Sequence, residues 1–91
     1  MNERPVILVT GGARRIGAAI ATAFGNAGWH VVIHYGSSRK EAEALATSLP
    51  SAETATADLA DPDAAVAMVT DLAERLPNWR VLVNCASVFE L

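Results

Sequence analysis

The stretch Val6-Ile-Leu-Val-Thr-Gly-Gly-Ala-Arg-Arg-Ile-Gly17 decides the fold of this chain. Its leading aliphatic residues suit a parallel strand that is buried on both faces, because a half-exposed strand alternates apolar with polar residues. Gly11 and Gly12 then predict a tight turn, since glycine adopts backbone angles that are closed to other residues and lets the main chain come close to a ligand. The stretch therefore predicts a strand that runs directly into a glycine-rich turn.

The residues after this turn predict a helix with one apolar face. Apolar side chains recur at spacings of three and four residues, at Ile16, Ile20, Ala23, Phe24 and Ala27. Such a helix offers unpaired N–H groups and the positive end of its dipole to an anion, and Gly17 on its first turn allows close packing or close ligand approach. Strand, turn and helix thus predict a site for the diphosphate of a nucleotide, although a glycine-rich turn that binds no ligand would give the same pattern.

Strands and helices keep alternating along the rest of the chain. Further strands are predicted at His30–Tyr35, Ala52–Asp58 and Arg80–Asn84. The helices between them begin at a Ser38–Glu41 capping box and at Asp61-Pro-Asp63, where an acceptor precedes proline. Because helical crossovers make neighbouring strands parallel, we predict an α/β fold. It is the N-terminal half of a Rossmann-like doubly wound parallel sheet, with strand order 3-2-1-4.

The composition narrows the class of protein and its surroundings. With 52% hydrophobic and 19% charged residues, the 91 residues suit one small globular unit, and a net charge of −3 creates no field that attracts nucleic acid. The lone Cys85 suits a reducing compartment, and Val6–Val9 is too short an apolar run to span a membrane. His30 and His34 share a strand face, but no third ligand has a suitable spacing, so no metal site is expected. We therefore expect a cytoplasmic protein without nucleic-acid or membrane partners.

Four stretches with chemically useful residues fall at the carboxyl ends of the predicted strands, at residues 11–17, 35–39, 58–59 and 84–89. Ligands of open α/β sheets bind there, near the point where the strand order reverses, so these stretches are expected to converge in space. Asn84 opens the fourth stretch. The residues predicted to bind a cofactor at the ends of the first three strands are Gly11, Arg14, Arg15, Ile16, Gly17, His34, Tyr35, Gly36, Ser37, Ser38, Arg39, Asp58 and Leu59.

The end of the second strand favours NADP(H) over NAD(H). NAD sites place an acidic side chain there for the ribose 2′-hydroxyl, whereas NADP sites need cations or small donors for the 2′-phosphate. Residues 34–40 contain no acidic residue. The expected phosphate contacts are Arg15, Ser37, Ser38 and Arg39, together with N–H groups at the helix start. Alternatively, the two serines only cap the helix and Arg39 is only solvated.

The glycine turn also carries a family resemblance. Thr10-Gly-Gly-Ala-Arg-Arg-Ile-Gly17 resembles the T-G-x-x-x-G-x-G turn of short-chain dehydrogenases, with Arg15 in place of the middle glycine. Three features look like those of the pteridine reductases within that family. They are the turn with Arg15, the pair His34-Tyr35 and the pair Asp58-Leu59. Residues 81–89 are similar to the V-L-V-N-N-A-S-x-F segment of those enzymes, with Cys85 in place of the second asparagine. The resemblance covers nearly the whole chain.

This resemblance implies roles for residues at several strand ends. Asp58 and Leu59 would lie beside the adenine. Ala86 and Ser87 would contact the cofactor. The residues implied for the substrate are Phe89, Ser87 and Arg15, with Phe89 stacking on a flat pterin ring.

The resemblance further implies hydride transfer from NADPH to a C=O or C=N bond, through a Tyr-x-x-x-Lys motif that residues 1–91 do not contain. We therefore predict an NADP-binding Rossmann half-domain over residues 1–91, truncated before the catalytic segment, without catalytic residues and inactive alone. The intact enzyme would reduce a pterin-like small molecule or, alternatively, a ketone, sugar or acyl carbonyl. The resemblance also implies that it is a homo-oligomer, in particular a tetramer. A different class remains open, a non-catalytic nucleotide-binding or association module.

Overall fold

A computed structural model describes residues 4–13 and 15–85 of the chain. Within these ranges, parallel strands form one sheet in the order β3-β2-β1-β4, which confirms the predicted fold class and strand order. Helices connect the strands in sequence. The elements are β1 (Val6–Thr10), α1 (Arg15–Asn26), β2 (His30–Tyr35), α2 (Arg39–Ser48), β3 (Ala52–Thr56), α3 (Pro62–Arg75) and β4 (Trp79–Asn84).

Strand β1 lies inside the sheet and is buried on both faces. Its residues from Val6 to Val9 are at most 2% exposed, which confirms the interpretation of the aliphatic run. Ile7 and Val9 belong to a core cluster with residues of α1 and α2. Val6 and Leu8 instead pack with Leu72 of α3 on the opposite face. The sheet is therefore covered by helices on both faces, which is why its central strands carry no alternating pattern.

Helix α1 packs its small residues most deeply, and of the predicted apolar face Ile20 and Phe24 are partly buried against the core cluster. Its buried residues are Gly17, Ala21 and Gly25, whereas Ile16 is 72% exposed. A Cβ atom on Gly25 would lie 3.0 Å from Cδ2 of Leu49, so this contact depends on the missing side chain. The bulky stripe predicted from the sequence is only partly buried, because close backbone approach selects small residues at the contact.

The helix starts differ from the predictions in one case. Asp61 caps α3 as predicted, since its Oδ1 accepts from the N–H groups of Asp63 (3.0 Å) and Ala64 (3.4 Å). Ser38 is the N-cap of α2, but its side chain makes no capping hydrogen bond, so the predicted capping box with Glu41 is wrong. Its ψ of 56° lies outside the extended region in which a serine side chain faces the third N–H group of a helix.

Strand β3 ends two residues earlier than predicted, at Thr56. Thr56 pairs with Tyr35, and its hydroxyl donates to the carbonyl of Tyr35 at 3.0 Å. The chain then leaves the ladder, because Asp58 accepts from the N–H of Asp61 through its carbonyl and from the N–H of Ala60 through its carboxylate. The residues after Thr56 therefore form a turn at the carboxyl end of the sheet instead of extending the strand.

A polar network joins β2, β3 and α3 at the other end of the sheet. The ring nitrogens of His30 lie 2.7 Å from the Ser51 hydroxyl and 2.7 Å from the Glu53 carboxylate. Arg75 donates to Glu53 at 2.9 Å and to Asp71 at 3.1 Å. Burial alone would raise the pKa of Glu53, but the hydrogen bonds and charges of His30 and Arg75 outweigh burial and hold that pKa below its usual value.

Several large apolar side chains remain exposed on the α3 side. Val66 is 64% exposed and Val69 is 42% exposed on α3. Leu82 of β4 is 57% exposed and pairs in register with Leu8, which faces α3. Among the described residues, no helix combines the length and apolar character needed to cross a membrane.

Candidate cofactor-binding site

The glycine turn between β1 and α1 is closely packed against the start of the helix. Gly11 has a φ of +63°, in the left-handed region that favours glycine. A Cβ atom on Gly17 would lie 2.3 Å from the carbonyl oxygen of Gly11, a distance that real structures do not allow. The turn therefore brings the N-terminus of α1 directly against the carboxyl end of β1, where an anion meets both backbone N–H groups and the helix dipole.

Arg15 opens α1 in an unusual backbone conformation. Its φ is +57°, in the left-handed region, although it carries a full side chain. This conformation costs a non-glycine residue about 1–2 kcal/mol, and such strain is concentrated at functional sites. Arg15 is exposed, as is Ile16 beside it. The turn thus presents a cation and an apolar side chain to solvent at the mouth of the site.

His34 links the glycine turn to the neighbouring strands. Its carbonyl oxygen accepts from the N–H of Gly12 at 3.0 Å, and its Nδ1 accepts from the N–H of Gly11 at 3.1 Å. Its Nε2 donates to the carbonyl of Ala57 at 2.9 Å. The residue is 2% exposed. Because His34 binds the N–H groups of both glycines, a phosphate at this turn must take its hydrogen bonds from N–H groups further along the chain.

A small cleft lies between the glycine turn and the end of β2. Its volume is about 80 Å³. The residues that line it are Gly11, Ala13, Tyr35, Gly36 and Ser38. None of these carries a carboxylate, so a phosphate group would meet no opposing negative charge from the lining side chains.

Arg39 and Ser37 stand beside this cleft at the start of α2, and both are exposed. Nε of Arg39 donates to the carboxylate of Glu43 at 3.0 Å. This hydrogen bond and the charge of Glu43 raise the pKa of Arg39 above its usual value. The guanidinium group is therefore oriented along α2 by an exposed ion pair, which is a weak contact that a phosphate competes with easily.

The remaining predicted residues lie at the ends of β3 and β4. Asp58 and Leu59 follow β3, with the Asp58 carboxylate accepting from Ala60 at 2.9 Å. The amide oxygen of Asn84 accepts from the hydroxyl of Thr10 at 2.7 Å, which joins the ends of β1 and β4. Predicted site residues that lie outside the described part of the chain are Arg14, Ala86, Ser87 and Phe89.

Three residues near the site were not predicted to be site residues, although Thr10 opens the T-G-x-x-x-G-x-G turn. Ala13 lines the cleft, and its position directly after two glycines is the available hint. Thr10 bonds Asn84, and its hydroxyl also accepts from the N–H of Cys85 at 3.1 Å. Ala57 contributes only its carbonyl, so nothing in its side chain marks it.

Comparison with known proteins places the chain in a family. The family model of the short chain dehydrogenases matches residues 5–91, which include every element described above. The chain belongs to the short-chain dehydrogenase family. This membership confirms the resemblance drawn from the glycine turn at the level of the family.

Individual relatives of this short-chain dehydrogenase chain are reductases by name. A versicolorin reductase of Emericella nidulans is 42% identical over 87 residues, covering 91% of this chain and 33% of the relative. Acetoacetyl-CoA reductase of Paracoccus denitrificans is 40% identical over 83 residues, covering 91% and 34%. The 3-oxoacyl-[acyl-carrier-protein] reductase FabG of Staphylococcus aureus is 32% identical over 85 residues, covering 89% and 35%. The chain spans about a third of the length of these relatives.

The residues of this short-chain dehydrogenase chain fit a dinucleotide. The close contact at Gly17 leaves no room for a side chain between helix and turn, and the adjoining cleft opens beside exposed serine and arginine side chains. The finer likeness to pteridine reductases stays a prediction, because the relatives reported above are named for other substrates.

Proposed function

We propose that residues 1–91 form the cofactor-binding part of an NADPH-dependent short-chain reductase. The observation that carries this proposal is the cleft between the glycine turn and the end of β2, which adjoins the N-terminus of α1. The pyrophosphate would bind at the start of α1, where N–H groups and the helix dipole favour an anion. Bound NADPH would supply the hydride, and this part of the protein would hold and orient it.

The preference for NADPH rests on charge at the end of β2. An NAD site needs a carboxylate here for the ribose 2′-hydroxyl, and the cleft has none among its lining residues. Ser37, Ser38, Arg39 and Arg15 would contact the 2′-phosphate, since hydroxyl and guanidinium groups donate to it. Asp58 and Leu59 would lie beside the adenine, and Asn84 at the end of β4 would contact the cofactor.

A charge substitution at Gly36 tests this proposal in the complete protein that contains residues 1–91. A Cβ atom on Gly36 would meet no atom within 4 Å, so a side chain is accommodated there. We expect wild type to bind NADPH at least about tenfold more tightly than NADH, and Gly36→Asp to reverse this preference, because the new carboxylate repels the phosphate and accepts from a free 2′-hydroxyl. Gly36→Asn is the matched control and should keep the NADPH preference. A wild-type preference for NADH would disprove the proposal.

The substrate of the complete enzyme is proposed as a carbonyl compound or a pterin. The names of the relatives favour a carbonyl, since two of them are named for 3-oxoacyl and acetoacetyl groups. The exposed, left-handed Arg15 favours a pterin through the resemblance to pteridine reductases. Oxidation of NADPH with acetoacetyl-CoA and with a dihydropterin distinguishes the two, and activity on the thioester alone would end the pterin proposal. Residues 1–91 alone should bind NADPH without oxidising it.

A further inference from the structure

The imidazole of His34 occupies a buried position between the ends of three strands. Nδ1 lies 3.1 Å from the nitrogen of Gly11, and Nε2 lies 2.9 Å from the carbonyl oxygen of Ala57. His34 belongs to β2, whereas Gly11 follows β1 and Ala57 follows β3. A single side chain thus connects the glycine turn after β1 to the chain that follows β3.

These partners fix the protonation state of the ring. A backbone N–H group only donates, so Nδ1 accepts from Gly11 and carries no proton. A carbonyl oxygen only accepts, so Nε2 carries the proton. The imidazole is therefore neutral in this arrangement, because an imidazolium would direct a second N–H group at the N–H of Gly11.

The two hydrogen bonds of the ring reach two parts of the proposed site. One part would bind the phosphates of the cofactor, and the other would lie beside its adenine. Gly11 belongs to the turn that precedes the phosphate-binding helix start, and its carbonyl is the atom against which Gly17 packs. Ala57 precedes Asp58 and Leu59, which are proposed to lie beside the adenine. A binding site gains affinity when its parts are held in the bound geometry before the ligand arrives.

We infer that His34 is a positioning residue of the dinucleotide site, whose neutral ring holds the Gly11 turn at a fixed orientation and distance from the Ala57–Leu59 segment. This inference rests on the proposed function, because it assigns the phosphates to the turn and the adenine to the segment. His34 then acts through Gly11 and Ala57 and does not itself touch the cofactor, unlike the direct contact predicted from the sequence.

Two substitutions separate the two bonds of the ring. In His34→Asn the amide oxygen is separated from Cβ by the same number of bonds as Nδ1 of histidine, so an acceptor remains for the N–H of Gly11. In His34→Gln the amide nitrogen is separated from Cβ by the same number of bonds as Nε2 of histidine, so a donor remains for the carbonyl of Ala57. Both variants lose the volume of the buried ring, so a loss of packing affects both and does not distinguish them.

The test measures NADPH affinity and the hydrogen exchange of the Gly11 amide in the complete protein. We expect the dissociation constant of NADPH to rise about tenfold in both His34→Asn and His34→Gln, because either substitution breaks one of the two hydrogen bonds that join the turn to the segment. The Gly11 amide should stay protected from exchange in His34→Asn and lose protection in His34→Gln.

The outcomes separate this inference from the proposed function. Intact NADPH binding by wild type together with wild-type affinity in either variant overturns the positioning role and leaves the proposed function standing. Unchanged protection of the Gly11 amide in His34→Gln overturns the positioning role whether or not the cofactor binds. A wild-type protein that binds neither NADPH nor NADH overturns the proposed function, and with it the cofactor part of the inference.

Discussion

At the scale of a single residue, Gly17 makes the tightest backbone contact of the site. Substitution by alanine would place Cβ 2.3 Å from the carbonyl oxygen of Gly11, so the turn and the helix must move apart. We expect Gly17→Ala to lower the free energy of unfolding by about 1–3 kcal/mol, the usual cost of overpacking, and to weaken NADPH binding. Denaturant unfolding measures the first effect. Gly36→Ala is the control, with a change of less than about 0.5 kcal/mol, because its Cβ meets open space.

Arg15 offers a second prediction at this scale, because its side chain and its backbone strain are separable. Arg15→Ala and Arg15→Gly both remove the guanidinium group, but only glycine adopts a φ of +57° without strain. We expect the glycine variant to be more stable than the alanine variant by about 1 kcal/mol, and both to bind NADPH more weakly than wild type. Thermal unfolding and NADPH titration measure the two effects. Equal stability of the two variants would show that the residue is not strained.

At the scale of the elements, the network of His30, Glu53 and Arg75 predicts how stability depends on pH. The folded state holds the pKa of Glu53 below its ordinary value of 4.5, so the unfolded chain takes up this proton at a higher pH than the folded chain does. The stabilisation is therefore present above pH 4.5 and is lost as the pH falls through the lower, folded pKa.

Glu53→Gln removes this titrating group, so we expect its stability to fall less steeply below pH 4.5 than that of wild type. Denaturant unfolding over a pH series measures this slope, which is the change in the free energy of unfolding with pH. Glu43→Gln is the matched control, because it also removes one carboxylate, which lies outside this network on the exposed face of α2. Stability should fall less steeply below pH 4.5 in Glu53→Gln than in this control. Identical slopes in wild type and Glu53→Gln would mean that the network does not stabilise the carboxylate.

At the scale of the whole molecule, residues 4–13 and 15–85 leave the α3 side of the sheet incompletely covered at Leu82. Leu82 is 57% exposed on β4, and in the described part of the chain β4 pairs with β1 alone. An apolar strand with an unpaired edge associates readily with other chains. We therefore expect the 91-residue polypeptide to self-associate, and Leu82→Gln to reduce this association in sedimentation velocity.

Arg80→Gln provides the control, because Arg80 is exposed on the same strand and its replacement removes no apolar surface. This variant should associate at least as strongly as wild type, since charges on an edge strand oppose pairing. No difference between Leu82→Gln and wild type would show that this face does not drive association. The homo-oligomeric state of the complete protein and its cytoplasmic location stay predictions.

The sequence by itself determined the parts of this protein that depend on neighbours along the chain. The aliphatic run before Gly11 specified a strand buried on both faces, because a continuous apolar run lacks the polar residues that a half-exposed strand turns to water. Asp61 specified a helix start, because its acceptor reaches N–H groups within three residues. The order of strands followed from the alternation of strands and helices, which is typical of a doubly wound α/β sheet. The family followed from the glycine turn, and the family comparison confirms it.

Only the tertiary structure decided which groups meet across the sheet. The bonds of His34 to Gly11 and Ala57 each span 23 positions, and those of Glu53 to His30 and Arg75 span 23 and 22, so no local pattern encodes them. The buried stripe of α1 and the missing cap bond of Ser38 were likewise decided by packing and backbone angles. The physical reason is that hydrogen bonds and close packing depend on distances in space, and these are fixed only when all the strands and helices have come together.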